Sequence, residues 1–291
     1  MRHSARAAAL LLSLFVCISV GAQAPDSAPA ASARDAAKQN QAPSHSGNDD
    51  AMLARAAKLY YSTKSAGLTG FDCTVHPDWR TLIQSSVKDS TVPESDPGVV
   101  LLKKVVVTLH ARLNGGSVLD WAPPSDSTKP LDAATTNLVD QMHKATDQTI
   151  KGFMQFWTPF VDGSVVPQNA QGFDITHSNT AMTIHTKQPG AEVTEVFSNE
   201  LILQRFNVVT GGNAIDLSPS YDSTDKGLLV SRFVARIGAP DAPADKTQEL
   251  HVEIYYQQLE GFPIPSKLNM DVIGTGTFNF ALDGCHANPN P

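Results

Sequence analysis

The stretch KLNMDVIGTGTFNFALDGC, residues 267–285, alternates along most of its length. Leu268, Met270, Val272, Phe278, Phe280 and Leu282 hold alternate positions, with Asn269, Asp271, Thr275, Thr277, Asn279 and Asp283 between them. A period of two marks a strand with one face buried and the other wet. Only Gly274 and Gly276 interrupt the apolar side, so the stretch reads as one long strand that bends or bulges where side chains are missing. At about 3.3 Å per residue it would run on the order of 50 Å, far beyond an ordinary strand. A strand that long has to curl around something, and fold and function both turn on what fills the curl.

Upstream, the chain from Gly172 has the pattern of an antiparallel meander. Candidate strands are Phe173–His177, Thr180–Thr186, Val193–Phe197, Leu201–Val209, Ala214–Leu217, Gly227–Ile237 and Leu250–Gln257, separated by Pro189-Gly190, Gly211-Gly212-Asn213 and Pro240 with Pro243. Each strand is apolar on one side only, so a cover is required.

The cover lies earlier in the chain. Asp49 or Asp50 can cap a helix with Met52, Leu53, Ala56, Leu59 and Tyr60 on its apolar side and Gly67 as its stop. Phe71, Cys73 and Val75 begin a strand that ends at Pro77, and Asp78 to Ser86 suits a short helix. The run from Val99 to Leu113 reads as a helical turn followed by a strand from about Lys104. Asn114-Gly115 then turns it into a return strand through Leu119 and Trp121. Leu138, Met142, Ala145, Thr149, Phe153, Phe156 and Trp157, spaced by threes and fours in the main, form one long helix that Pro159 should end. The predicted fold is α+β: a large curved antiparallel sheet, a half-barrel, covered by an N-terminal helix and a long central helix.

The 291 residues carry a net charge of −7. Residues 1–24 combine a basic start, an apolar run from Ala7 to Val20, and small residues suited to cleavage after Ala22 or Ala24, a signal peptide that marks export to the periplasm or the extracellular space. The run is short for an uncleaved membrane anchor, so the mature form is not expected to span a membrane. Val16 stands before Cys17 where a lipoprotein signal wants a small residue. Cleavage removes Arg2 and Arg6, leaving 20 Lys+Arg against 29 Asp+Glu, a balance of −9. That charge, without any basic run, argues against nucleic acid as a partner. Residues 25–48, rich in Ala, Ser, Pro, Gln and Asn, read as a disordered leader, residues 49–286 as one domain, and residues 287–291 as a flexible tail. Only Cys73 and Cys285 remain after cleavage. In an oxidising compartment they are expected to pair as a disulfide, with two buried thiols as the alternative.

Motifs for chemistry are sparse. Gly163-Ser164 lacks the second glycine of a nucleophile elbow. His177, His185 and His251 read as outward strand residues rather than metal ligands. Gly274-Thr275-Gly276 precedes a strand, not a phosphate-binding helix. The carboxylate pairs Glu192 with Glu195 and Asp222 with Asp225 fall in expected turns. No catalytic residue, metal or cofactor is predicted.

The element order carries a resemblance. Tyr60-Tyr61 lies in the opening helix, Leu217-Ser218-Pro219 precedes Lys226-Gly227-Leu228, and the last strand follows Pro263 and Pro265. In organisation, from about Asp50 to Cys285, the chain resembles the bacterial lipoprotein carriers and their outer-membrane-receptor and sigma-factor-regulator relatives. The resemblance implies a periplasmic half-barrel closed by helices, holding a lipid or acyl chain without catalysis. It also implies a cavity arginine, for which Arg205, Arg232 and Arg236 are open alternatives. The expected lining is Phe153, Phe156, Trp157, Phe233, Val252, Ile254, Met270, Phe278 and Phe280, although the aromatic helix end also suits ordinary core packing. The alternative function is an envelope interaction or scaffold protein with a filled core; a third is an unrecognised hydrolase.

Overall fold

A computed structural model describes residues 47–87, 91–113, 116–122, 133–163 and 165–289. The expected signal peptide, nearly all of the expected leader, Ser164 and the Asn114-Gly115 turn lie outside these residues. Among the described residues five α-helices and twelve strands follow one another. They are α1 (Gly47–Ala57), α2 (Thr63–Ala66), β1 (Leu68–Pro77), α3 (Trp79–Ser86), α4 (Pro97–Leu102), β2 (Val106–Arg112), β3 (Gly116–Ala122) and α5 (Ala133–Asp162). There follow β4 (Asp174–His177), β5 (Ala181–Gln188), β6 (Ala191–Ser198), β7 (Leu203–Thr210), β8 (Asn213–Thr224), β9 (Gly227–Gly238), β10 (Gln248–Leu259), β11 (Phe262–Val272) and β12 (Gly276–Pro289). No helix among the described residues is long and apolar enough to cross a membrane.

All twelve strands form one open antiparallel sheet in the order β3-β2-β1-β12-β11-β10-β9-β8-β7-β6-β5-β4. The order is that of a meander from β4 to β12, continued by the earlier meander β1 to β3. As a result α5 leaves one edge strand, β3, and delivers the chain to the other, β4. Twelve flat strands at about 4.8 Å spacing would hold those edges on the order of 50 Å apart, whereas the 30-residue helix spans about 45 Å. Curling the sheet brings the edges within reach and puts α5 in the hollow, giving the half-barrel of the α+β class.

The long strand expected over residues 267–282 is two strands. Val272 pairs with Gly276, Met270 with Phe278 and Leu268 with Phe280, a hairpin closed by Thr275 N–H donating to Val272 O at 2.8 Å. Gly274, with φ +77°, supplies the left-handed turn residue. The apolar phase survives because a turn that restores even register leaves both arms facing the same side. After Ala281 the strand leaves β11 and runs on beside β1 alone, through Val75↔Leu282 to Leu68↔Pro289. The first and last strands are thus clasped side by side, and Cys73 and Cys285 form the expected disulfide. Residues 287–289, expected as tail, stay paired with β1.

Local capping accounts for the short helices. Asp78 accepts from Thr81 N at 3.1 Å, and Asp96 accepts from Gly98 N at 2.8 Å ahead of Pro97. The expected first helix starts at Gly47, two residues before the expected cap, so Asp49 and Asp50 lie inside its first turn and bond to His177 and Ala170 N instead; it is also broken in two. Residues 59–61 bridge to Leu228 instead, with Leu228 N donating to Leu59 O at 2.7 Å and Tyr61 N to Leu228 O at 2.9 Å. Gly67, at φ +94°, ends α2. Conversely, α5 runs through Pro159 to Asp162, because burying Phe160 and Val161 outweighs the hydrogen bond that proline forfeits.

Candidate ligand site on the concave face

Cross-strand pairing sorts the concave face into rows. Phe233, Val252, Met270 and Phe278 form one row across β9 to β12, and Ile254, Leu268 and Phe280 the next. All are buried. From above, Phe156 packs on Phe233 with ring centroids 6.0 Å apart, while Trp157 stacks on Phe153 and meets the edge of Phe71, each at 6.1 Å. Trp157 Nε1 donates to the Tyr256 hydroxyl at 2.9 Å, and that hydroxyl donates to Val230 O. The nine expected lining residues are thus brought together, and they fill this part of the hollow with one another.

The third row differs. Ile175, Ile184, Glu195, Phe206, Leu217, Ala235, Leu250 and Val272 lie side by side from β4 to β11. One carboxylate stands in a line that is otherwise apolar. Glu195 makes no hydrogen bond to any described residue, and its Oε2 is buried without a partner. Burial pushes its pKa up to about 8, so at neutral pH the carboxyl is mostly protonated. Nearby, Tyr60 and Tyr221 meet edge to face at 5.4 Å, and Phe160, in the last turn of α5, packs on Tyr221 at 6.4 Å. The Tyr60 hydroxyl accepts from Leu203 N at 2.6 Å, and the buried Tyr221 hydroxyl lies beside it with no other polar neighbour among the described residues. Burial raises the pKa of Tyr221 far above the ordinary phenol range, which keeps it a neutral donor.

Around Glu195 the cover thins. The aromatic contacts of α5 with the sheet reach β3, β1, β9 and β8, but the floor beyond stays half-exposed at Ile175, Val193, Phe206 and Val208. These side chains share the concave face, since Val193 pairs with Val208 and Val208 with buried Ile215.

No family model and no curated protein matches the chain.

Pairing corrects several expectations at once. Glu195 sits mid-strand in β6, facing inward, and not in a turn; the sequence signal was present in the alternation of Val193, Glu195 and Phe197. Glu192 lies in the same strand on the outside, 2.8 Å from Lys187, and Asp222 lies in β8, accepting from Ser231. Arg205, Arg232 and Arg236 all point outward, ion-paired with Asp216, Glu253 and Glu249 at 2.6, 3.6 and 2.8 Å, so none of the three supplies a cavity arginine. His177 faces the concave side, because it pairs with Met182, and reaches Asp49 of α1 at 2.9 Å. His185 and His251 face outward, bonded to Thr194 and Glu249, and no group of His, Cys, Asp and Glu among the described residues could hold a metal ion. A groove of about 570 Å³ lies on the convex face, among Arg205, Asp216, Arg236 and residues 238–242. Its lining mixes those charges with the apolar Val196, Val209 and Ala214, on the face away from α5.

Proposed function

We propose that this protein is an exported, non-enzymatic carrier that shelters a lipid or acyl chain on the concave face of its half-barrel, as the lipoprotein carriers do. The chain lies along the floor of β4 to β8, next to the part of the hollow that α5 fills. The observation that carries this reading is the half-exposed apolar floor of Ile175, Val193, Phe206 and Val208, continuous with the buried rows under α5. An apolar strip of this kind has a reason to stay uncovered when a guest covers it. The disulfide fits an oxidising compartment. The test is extraction of lipid from protein purified out of the exported fraction, with displacement of a fluorescent fatty-acyl probe as the second readout. Retained acyl chains and saturable probe binding are expected; protein that emerges free of lipid and binds no probe would overturn the reading.

An envelope scaffold with a filled core is the second reading, favoured by the complete burial of Trp157 between Phe153 and Phe71. It predicts that a partner protein, and no lipid, is recovered from envelope material.

A further inference from the structure

The proposed carrier function leaves open which end of a ligand the hollow recognises. We propose that Glu195 is the polar anchor of the site and selects an uncharged acyl ligand, taken by its ester or amide group. This rests on the carrier reading above and adds the ligand class to it.

A buried polar group without a partner is destabilising, and folded proteins rarely keep one without a use. Glu195, half-buried as a residue, presents such a group in its Oε2: inward-facing, unpartnered, and set between apolar Ile184 and Phe206 in the cross-strand row. An apolar residue at this position would suit the sheet better, so the carboxyl answers to something other than packing. Its neighbours on the guest side are the half-exposed floor residues, so a chain lying along that floor brings a polar group past Glu195.

The chemistry then selects the guest. A carboxyl held neutral offers one O–H donor and a carbonyl acceptor, which complements an ester carbonyl, an amide or a hydroxyl. It does not complement a fatty-acid anion, for which a cation would be needed. The arginines of β7 and β9 are committed to Asp216, Glu253 and Glu249 on the other face. The buried Tyr221 hydroxyl, beside that of Tyr60, is a further neutral polar group on the same face.

The test compares three probes of equal chain length at neutral pH: a monoacylglycerol, the fatty-acid anion and the alkylamine. Each is titrated into wild type, Glu195→Gln and Glu195→Leu. Wild type is expected to bind the monoacylglycerol best. Glu195→Gln, which is neutral and still donates, should hold affinity within a few-fold, and Glu195→Leu should lose roughly tenfold for the monoacylglycerol alone. Without ligand, Glu195→Leu should melt above wild type, so that lost affinity is not lost fold. Equal monoacylglycerol affinity in all three proteins would overturn the anchor while leaving the carrier reading intact. Preference for the alkylamine, abolished in Glu195→Gln, would show that the carboxylate charge is what binds, and overturn it too. A lower melting temperature for Glu195→Leu would make the carboxyl structural and would likewise overturn the anchor. Failure of every probe on wild type would instead count against the carrier function itself.

Discussion

A methyl group at Gly276 would come within 2.4 Å of Ser85 Oγ in α3, at a backbone φ of +153°. Gly276→Ala therefore meets both a steric and a conformational penalty. Urea denaturation should show a loss of about 1–3 kcal/mol, against near-neutrality for a Gly→Ala change at exposed Gly47, which has open space around it. Glu195 gives a residue-scale prediction of a different kind. Its pKa in the folded state, about 8, lies above the ordinary carboxyl value of 4.5, so between those pH values the native protein binds a proton that the unfolded chain has released. Stability is consequently highest, as far as this group is concerned, below about pH 4.5, and falls as pH rises through about 8. The melting temperature of wild type minus that of Glu195→Gln should decline across this window; a flat difference would show that the carboxyl is not held neutral.

At the scale of the element, α5 acts as the core of the hollow. Trp157 is fully buried, touches Phe71 and Phe153, and donates to Tyr256. Trp157→Ala removes these contacts and leaves the Tyr256 hydroxyl one partner short, so a loss of about 3–5 kcal/mol is expected in denaturant titration. Trp157→Phe should recover most of the packing but not the hydrogen bond. The sheet has a weak place of its own where β12 leaves β11 for β1. There Pro263 and Pro265 of β11 face no β12 partner, which is why proline is tolerated within the strand. Gln257 spans the opening, donating through Nε2 to Leu282 O at 3.0 Å. Much of this was legible beforehand: most strands of the meander and the inward set of α5 follow from periodicity. The breaks were not. Residues 59–61 left the helix because Leu228, remote in sequence, offered their backbone better partners, and no local pattern records that.

For the whole molecule, the decisive contact is between the first strand and the last. Cys73 and Cys285 are separated by 212 residues, and closing so long a loop can stabilise by roughly 5 kcal/mol at most in the chain-entropy treatment. The Cys73→Ser, Cys285→Ser double variant should melt well below wild type, and labelling of the oxidised, denatured wild type should find neither thiol. Together with the chain that leaves edge strand β3 through α5 and re-enters at edge strand β4, the clasp makes the fold a closed circuit of chain around an open sheet. The sequence by itself determined most of the strands, the alternation that gives each an apolar and a polar face, and the class of the fold, because alternation and helical spacing are local and survive any arrangement of the elements. Only the tertiary structure decided that residues 267–285 fold back as a hairpin, that three arginines turn outward, and that Glu195 stands in an apolar row. Those outcomes depend on which strands lie side by side, and register between strands far apart in the chain is set by the packing of the whole sheet.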